Sequence, residues 1–142
     1  MSLGAVLGDL VYTVPIVTLE EHFSIAHWEM LNILVAIRVW GNQWKSQMIL
    51  IKCDTQAVVS VLNSGKSSDT ILSPIARNIL FYCAEHDINL RLIHVLGKDN
   101  TVADILSRWY ESNTRHNVLF NKIKNPIWCN VNRECPKIYW YI

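Results

Sequence analysis

The sequence predicts an α/β domain built on a mixed β-sheet with helices packed against it. Three observations carry that reading. A Gly-Asp dipeptide at residues 8–9 separates two β-rich runs, which predicts a hairpin and antiparallel pairing. From residue 48 onward, compact apolar runs alternate with segments of helical spacing, which implies strands paired in parallel through helical crossovers. The chain has 142 residues, 51% hydrophobic and 18% charged, long enough for one such core and short for two.

In chain order, residues 4–7 and 10–17 are the hairpin strands, and residues 18–23 form a polar, acidic connection. Ser24 is placed to cap a helix. Over residues 25–40, Trp28, Leu31, Val35 and Val39, with Leu34 beside them, recur at helical spacing until Gly41-Asn42 stops the run. Residues 48–53 hold a single charge, Lys52, as expected of a strand covered on both faces. Asp54 follows at once. Residues 55–62 then read as a short helix closed by Asn63-Ser64-Gly65, so Asp54 stands at a strand-to-helix junction. Residues 70–86 form a second long helix with Ile75, Ile79 and Cys83 on one face and Pro74 in its first turn or at a kink. Residues 88–95 are another strand, with His94 near its end. Gly97 permits a sharp turn, Asn100 or Thr101 can cap the next helix, and Val102, Ile105, Leu106 and Trp109 recur at i, i+3, i+4, i+7. The order is β-β-α-β-α-α-β-α. It makes residues 1–109 one domain and leaves 110–142 as a tail that packs back on it or waits for a partner.

The formal net charge of +1 conceals an asymmetry. Residues 1–107 carry 7 Lys/Arg against 10 Asp/Glu, and residues 108–142 carry 6 against 2. A basic, aromatic-bearing tail suits a polyanion, although such tails are commonly just solvated. Cys53, Cys83, Cys129 and Cys135 form no C-x-x-C pair, which supports neither a zinc site nor a disulfide framework and fits reduced, intracellular thiols. No positively charged leader opens the chain, and no apolar run approaches the ~20 residues that span a bilayer, so a protein that is neither exported nor membrane-bound is expected. Six Trp in so short a chain hint at surface meant to be covered by further chain or a partner.

Glu29 in the first turns of a helix, Asp54 at a strand's end and Asp104 in the helix after the last strand share one kind of position. In an open α/β sheet the strand C-termini gather on one edge, where ligands bind. Carboxylates brought together there repel one another and suit Mg²⁺ or a comparable hard cation; two such ions about 4 Å apart can activate a water for phosphodiester hydrolysis. His94 nearby is placed to assist proton transfer. Each residue also has a plainer reading: Asp54 as a helix cap, Asp104 paired with Arg108 at i+4, Glu29 as a helix-surface acid, His94 as a strand-end histidine with its bonds satisfied.

Four segments resemble the type 1 ribonuclease H domain of a retroelement reverse transcriptase, of the DIRS-like class whose polyprotein continues into a tyrosine recombinase. Residues 24–32, Ser-Ile-Ala-His-Trp-Glu-Met-Leu-Asn, resemble the segment in which the catalytic Glu opens the first helix, which puts that role on Glu29. Residues 51–63 resemble the strand whose terminal Asp is a metal ligand, here Asp54. Residues 94–108 resemble the motif His-x-Pro-Gly-x-x-Asn-x-x-Ala-Asp-x-Leu-Ser-Arg, departing at Leu96, and give Asp104 as a metal ligand and His94 as the assisting histidine. Residues 125–131 resemble the short segment that follows the domain in these elements.

The resemblance implies a ribonuclease H-like mixed sheet flanked by helices, two Mg²⁺ or Mn²⁺ ions, and cleavage of RNA in an RNA–DNA hybrid. It also implies the reverse transcriptase and recombinase regions of a parent polyprotein as partners. The hybrid's phosphates would meet lysines such as Lys45, Lys66 and Lys98, which otherwise read as solvated. One element of the family is expected to be missing. Its first strand carries the first catalytic Asp and lies centrally, between the opening hairpin and the strand at 48–53, and Asp9 in the hairpin turn is a poor substitute. The chain therefore reads as N-terminally truncated and inactive as it stands. The alternative is a non-catalytic nucleic-acid-binding or assembly remnant, and a third reading is a fragment that does not fold alone.

Overall fold

The computed structural model describes residues 2–15, 23–109, 122–123 and 126–129. The hairpin strands are β1 (Ser2–Leu7) and β2 (Leu10–Pro15), paired antiparallel with Leu7 opposite Leu10. Gly8 between them has φ +61°, as the first central residue of a type II′ turn requires. The expected extension of this strand to residue 17 lies outside the described residues. Helix α1 (Ile25–Trp40) follows, then a 3₁₀ turn (Gly41–Trp44), β3 (Met48–Cys53), α2 (Gln56–Ser64), α3 (Leu72–Glu85) and β4 (Asn89–His94). After a second 3₁₀ turn (Gly97–Asp99) come α4 (Thr101–Ser107) and a short β5 (Ile127–Trp128).

Among the described residues the strands form two separate sheets rather than one. The first has the order β1-β2-β5, with β5 parallel to β2, so this part of the tail does pack back on the domain. Trp128 there lies against Trp109, their ring centroids 4.9 Å apart. The second sheet is β3 beside β4, parallel and in register from Met48↔Asn89 to Cys53↔His94, as the helical crossover implies.

Helix α1 joins the two sheets. Ten of its sixteen residues are buried, so it is apolar on nearly every side, as a helix enclosed by other elements must be. Asn32 ties it to the hairpin by donating to Gly4 O (2.8 Å) and accepting from the Tyr12 hydroxyl (2.7 Å). On its other side α1 packs against α3 and α2, with Leu31, Leu34, Ile75 and Ile79 in one core. Helix α4 covers the hairpin's opposite face through Leu106 and Ile105, which bury Val11. The Leu106 carbonyl at the helix end, which the Trp109 N–H reaches at 3.3 Å, also accepts from Ser2 Oγ (2.9 Å) and Thr13 Oγ1 (2.8 Å).

Several expectations change. The strand at 48–53 is not covered on both faces: Met48 and Leu50 are 73% and 56% exposed, and only Ile49, Ile51 and Cys53 turn inward. Strand apolarity alone does not distinguish one covered face from two. Trp109 falls just past the end of α4. Asn100 occupies the cap position there but makes no side-chain cap bond, while Thr101 Oγ1 turns back to Lys98 O. Pro74 sits within the first turn of α3.

Among the described residues, no helix is long and apolar enough to cross a membrane. Cys53, Cys83 and Cys129 are free thiols, and Cys135 lies outside the described residues.

Candidate functional site

Between β1 and β3 runs an open cleft of about 710 Å³. Its long sides are the two strand edges, and α1 forms its floor through Trp28, Ile33, Ala36 and Trp40. Three acids, Glu29, Asp54 and Asp104, are among its lining residues, but Asp104 is not in the close group that Glu29 and Asp54 form with Cys53. They come from three separate elements. Glu29 is on the second turn of α1, Asp54 directly follows β3, and Asp104 lies in the first turn of α4.

Glu29, Cys53 and Asp54 each offer a ligand atom, and these atoms lie within 4.8 Å of one another. Burial, and secondarily the charge of Asp54, push the Glu29 carboxyl up to about 7 from 4.5. Desolvation disfavours its ionised form and a neighbouring carboxylate disfavours it again. Burial likewise pushes the Cys53 thiol up to about 11, so it stays protonated near neutrality. The donors fit for a hard cation are therefore carboxylate oxygens, not thiolate sulfur.

Asp104 is exposed and pairs with Arg108 at i+4, Nε to Oδ1 3.4 Å, the plainer role foreseen for it. Asp54 does not cap α2: Thr55 holds the cap position, and its hydroxyl lies 3.5 Å from Asp54 Oδ1. His94 is exposed, paired with Cys53 across the β3–β4 ladder, and its Nε2 is 3.2 Å from Asp54 O. It is beside Asp54 but is not among the residues that line the cleft. Asp9 is in the hairpin turn, at the opposite end of β1 from Ser2, and is not among the lining residues. Lys45, Lys66 and Lys98 are exposed and do not line the cleft.

The cleft's own cations are Lys52 and Arg108. Sequence reasoning did not single out Lys52, Arg108 or Cys53 as site residues, although Cys53 and Lys52 directly precede Asp54 and share its strand end. No protein-family model, curated protein or solved structure shows significant similarity to this chain.

Proposed function

We propose that this chain is a ribonuclease H-like domain of a retroelement, with Glu29, Asp54 and Asp104 as its metal-ligand acids. The observation that carries the reading is that Glu29 and Asp54 bring ligand atoms within 4.8 Å of one another in a cleft that Asp104, from a third element, also lines. The strand arrangement supports it too. With β2 beside β1 and β4 beside β3, the cleft falls where the family's central first strand would stand. The motif at residues 94–108 and the fitting oxygen donors add to this.

Two Mg²⁺ or Mn²⁺ ions, held by these carboxylates, would supply a polarised water and charge stabilisation for hydrolysis of the RNA strand of an RNA–DNA hybrid. Glu29 must lose its proton to serve as a ligand. Arg108 pairs with Asp104 at i+4, and His94, beside the Asp54 backbone, would assist proton transfer. Three acids line the cleft where the family uses four, so this chain alone binds hybrid without efficient turnover. Its natural partners are then the hybrid and the reverse transcriptase and recombinase regions of a parent polyprotein.

A second reading, a non-catalytic nucleic-acid-binding module, is favoured by the Asp104–Arg108 pair, in which a cation already balances one of the ligands.

Cleavage of a labelled RNA–DNA hybrid in Mg²⁺ or Mn²⁺, with Asp104→Asn as control, tests the proposal. Salt-dependent hybrid binding without cleavage is expected. Cutting by the chain but not by the control would show that three acids suffice; absence of both binding and any effect of the metal on the protein would sink the reading.

A further inference from the structure

The sheet of β3 and β4 has one covered face and one bare face. Ile49, Ile51 and Leu90 pack against the core that Cys53 and Leu92 join, on the side of α2. The alternate residues, Met48, Leu50 and Lys52 of β3 and Asn89, Arg91 and Ile93 of β4, are all exposed, as alternation along a strand requires. In the parallel register Leu50 faces Arg91 and Lys52 faces Ile93. Lys52 and Arg91 are therefore diagonal neighbours on the bare face, about 8 Å apart at Cα for strands ~4.8 Å apart that rise ~3.3 Å per residue. Those six residues include two cations and no acid. Neither Lys52 nor Arg91 has an ion-pair partner among the described residues.

Their position, more than their number, points to a ligand. Lys52 stands two residues before Asp54 and lines the cleft together with Glu29 and Asp54. The two cations thus lead from the acid group out onto the open sheet. Carboxylates repel a phosphodiester, so a strand drawn to a cation between them needs positive charge alongside to hold its neighbouring phosphates. Arg108, the other cation of the cleft, is already paired with Asp104, and Lys45, Lys66 and Lys98 do not line the cleft. Lys52 is left as the cleft cation free to meet a phosphate, with Arg91 next to it on the sheet.

We propose that the bare face of β3 and β4 carries the phosphodiester backbone of the nucleic-acid strand that enters the cleft, with Lys52 and Arg91 on nearby phosphates and the exposed Leu50 between them against sugar carbons. The inference rests on the ribonuclease H-like reading and adds the residues that position the strand. Contacts of this kind fix register without reading sequence, so the face serves any hybrid equally.

The test measures binding of the whole chain to a labelled RNA–DNA hybrid at fixed Mg²⁺ over a series of monovalent salt concentrations. Lys52→Gln and Arg91→Gln should each flatten the slope of log affinity against log salt by about one, and the double variant by about two, equally for hybrids of unrelated sequence. Lys52→Arg and Arg91→Lys should keep the parent slope. Lys66→Gln, which removes an exposed cation from the loop after α2, should leave it unchanged. Both side chains on the bare face are exposed, so all variants should melt with the parent. A polyglutamate peptide of matched charge should displace the hybrid only at a concentration at least about tenfold higher, since it has no phosphodiester to offer the acid group. If the parent binds hybrid and the double variant keeps its slope, the inference is overturned and the ribonuclease H-like reading stands. Displacement by polyglutamate at an equal concentration would also overturn it, in favour of an acidic protein as the partner of this face. A parent that binds no hybrid even at low salt would sink the reading itself, and this inference with it.

Discussion

His27 and Asp69 join the N-terminal ends of two helices through one imidazole. His27 Nε2 lies 3.0 Å from Asp69 Oδ2, while its Nδ1 accepts the Ser24 N–H at 3.0 Å in the capping box of α1. Because Ser24 N–H can only donate, Nδ1 carries no proton and Nε2–H donates to the carboxylate. Asp69 Oδ1 in turn accepts from Ile71 and Leu72 N–H at the start of α3.

His27→Ala should therefore loosen both helix starts and cost about 1–2 kcal/mol in urea unfolding. The backbone N–H groups of Leu72 and Ile71, together with His27, hold the Asp69 carboxyl at about 2, below its ordinary 3.8. A value depressed in the folded state stabilises above the unfolded value and is lost as pH falls through the folded one. The contribution should be whole above pH 4 and gone near pH 2, and Asp69→Asn should flatten the stability profile in that window.

Glu29 works in the opposite sense. Its carboxyl is raised from 4.5 to about 7 in the fold, so the folded chain holds a proton that the unfolded chain releases. The stabilisation is full below pH 4.5 and lost as pH rises through 7, on the order of 3 kcal/mol across the window. Glu29→Gln, which keeps the shape without the titration, should be more stable than the parent at pH 8 and show little pH dependence from this site. A parent profile that rises from pH 5 to 8 would contradict this.

Gly41 is required by a close approach. A Cβ at this position would meet the Tyr82 ring and hydroxyl at 2.5–2.8 Å. Tyr82 in turn stacks on His86, centroids 3.9 Å apart, and the Arg38 guanidinium lies 5.9 Å from its ring centroid. Gly41→Ala should destabilise by about 1–3 kcal/mol. Adding Tyr82→Ala should make the alanine at 41 nearly neutral, a coupling that thermal melts of the four-member cycle will read.

Asn63 closes the outer edge of the second sheet with its side chain. Its Nδ2 donates to Leu92 O at 2.8 Å and its Oδ1 accepts from Leu92 N–H at 3.0 Å, so the amide stands in for a neighbouring strand. Asn63→Ala should cost about 1–2 kcal/mol and Asn63→Asp no less, since the carboxylate oxygen that replaces Nδ2 faces the Leu92 carbonyl. Amide exchange at Leu92 should quicken in both.

Much of this was legible in the chain. The helical spacing from Trp28 to Val39, the Gly8-Asp9 turn and the apolar run at 48–53 each specify a local element whose period or turn chemistry has one reading. That Glu29, Asp54 and Asp104 line one cleft was legible because each acid sits near where an element begins or ends, whereas the place of Cys53 beside Glu29 and Asp54 was not. The His27–Asp69 link was not, since residues 42 apart with no shared pattern meet only through helix packing. Nor was the exposure of Met48 and Leu50, because a strand's apolarity does not tell how many of its faces are covered.

The enclosure of α1 bears on the order in which the chain assembles. The hairpin closes through a two-residue turn, and β3, α2, α3 and β4 are contiguous in sequence, so each half can organise from near neighbours. Since the two sheets share no ladder among the described residues, the step that unites them is the docking of both onto α1. Substitutions such as Leu34→Ala should therefore slow refolding strongly, while those in the hairpin turn should mainly alter how fast the finished chain comes apart.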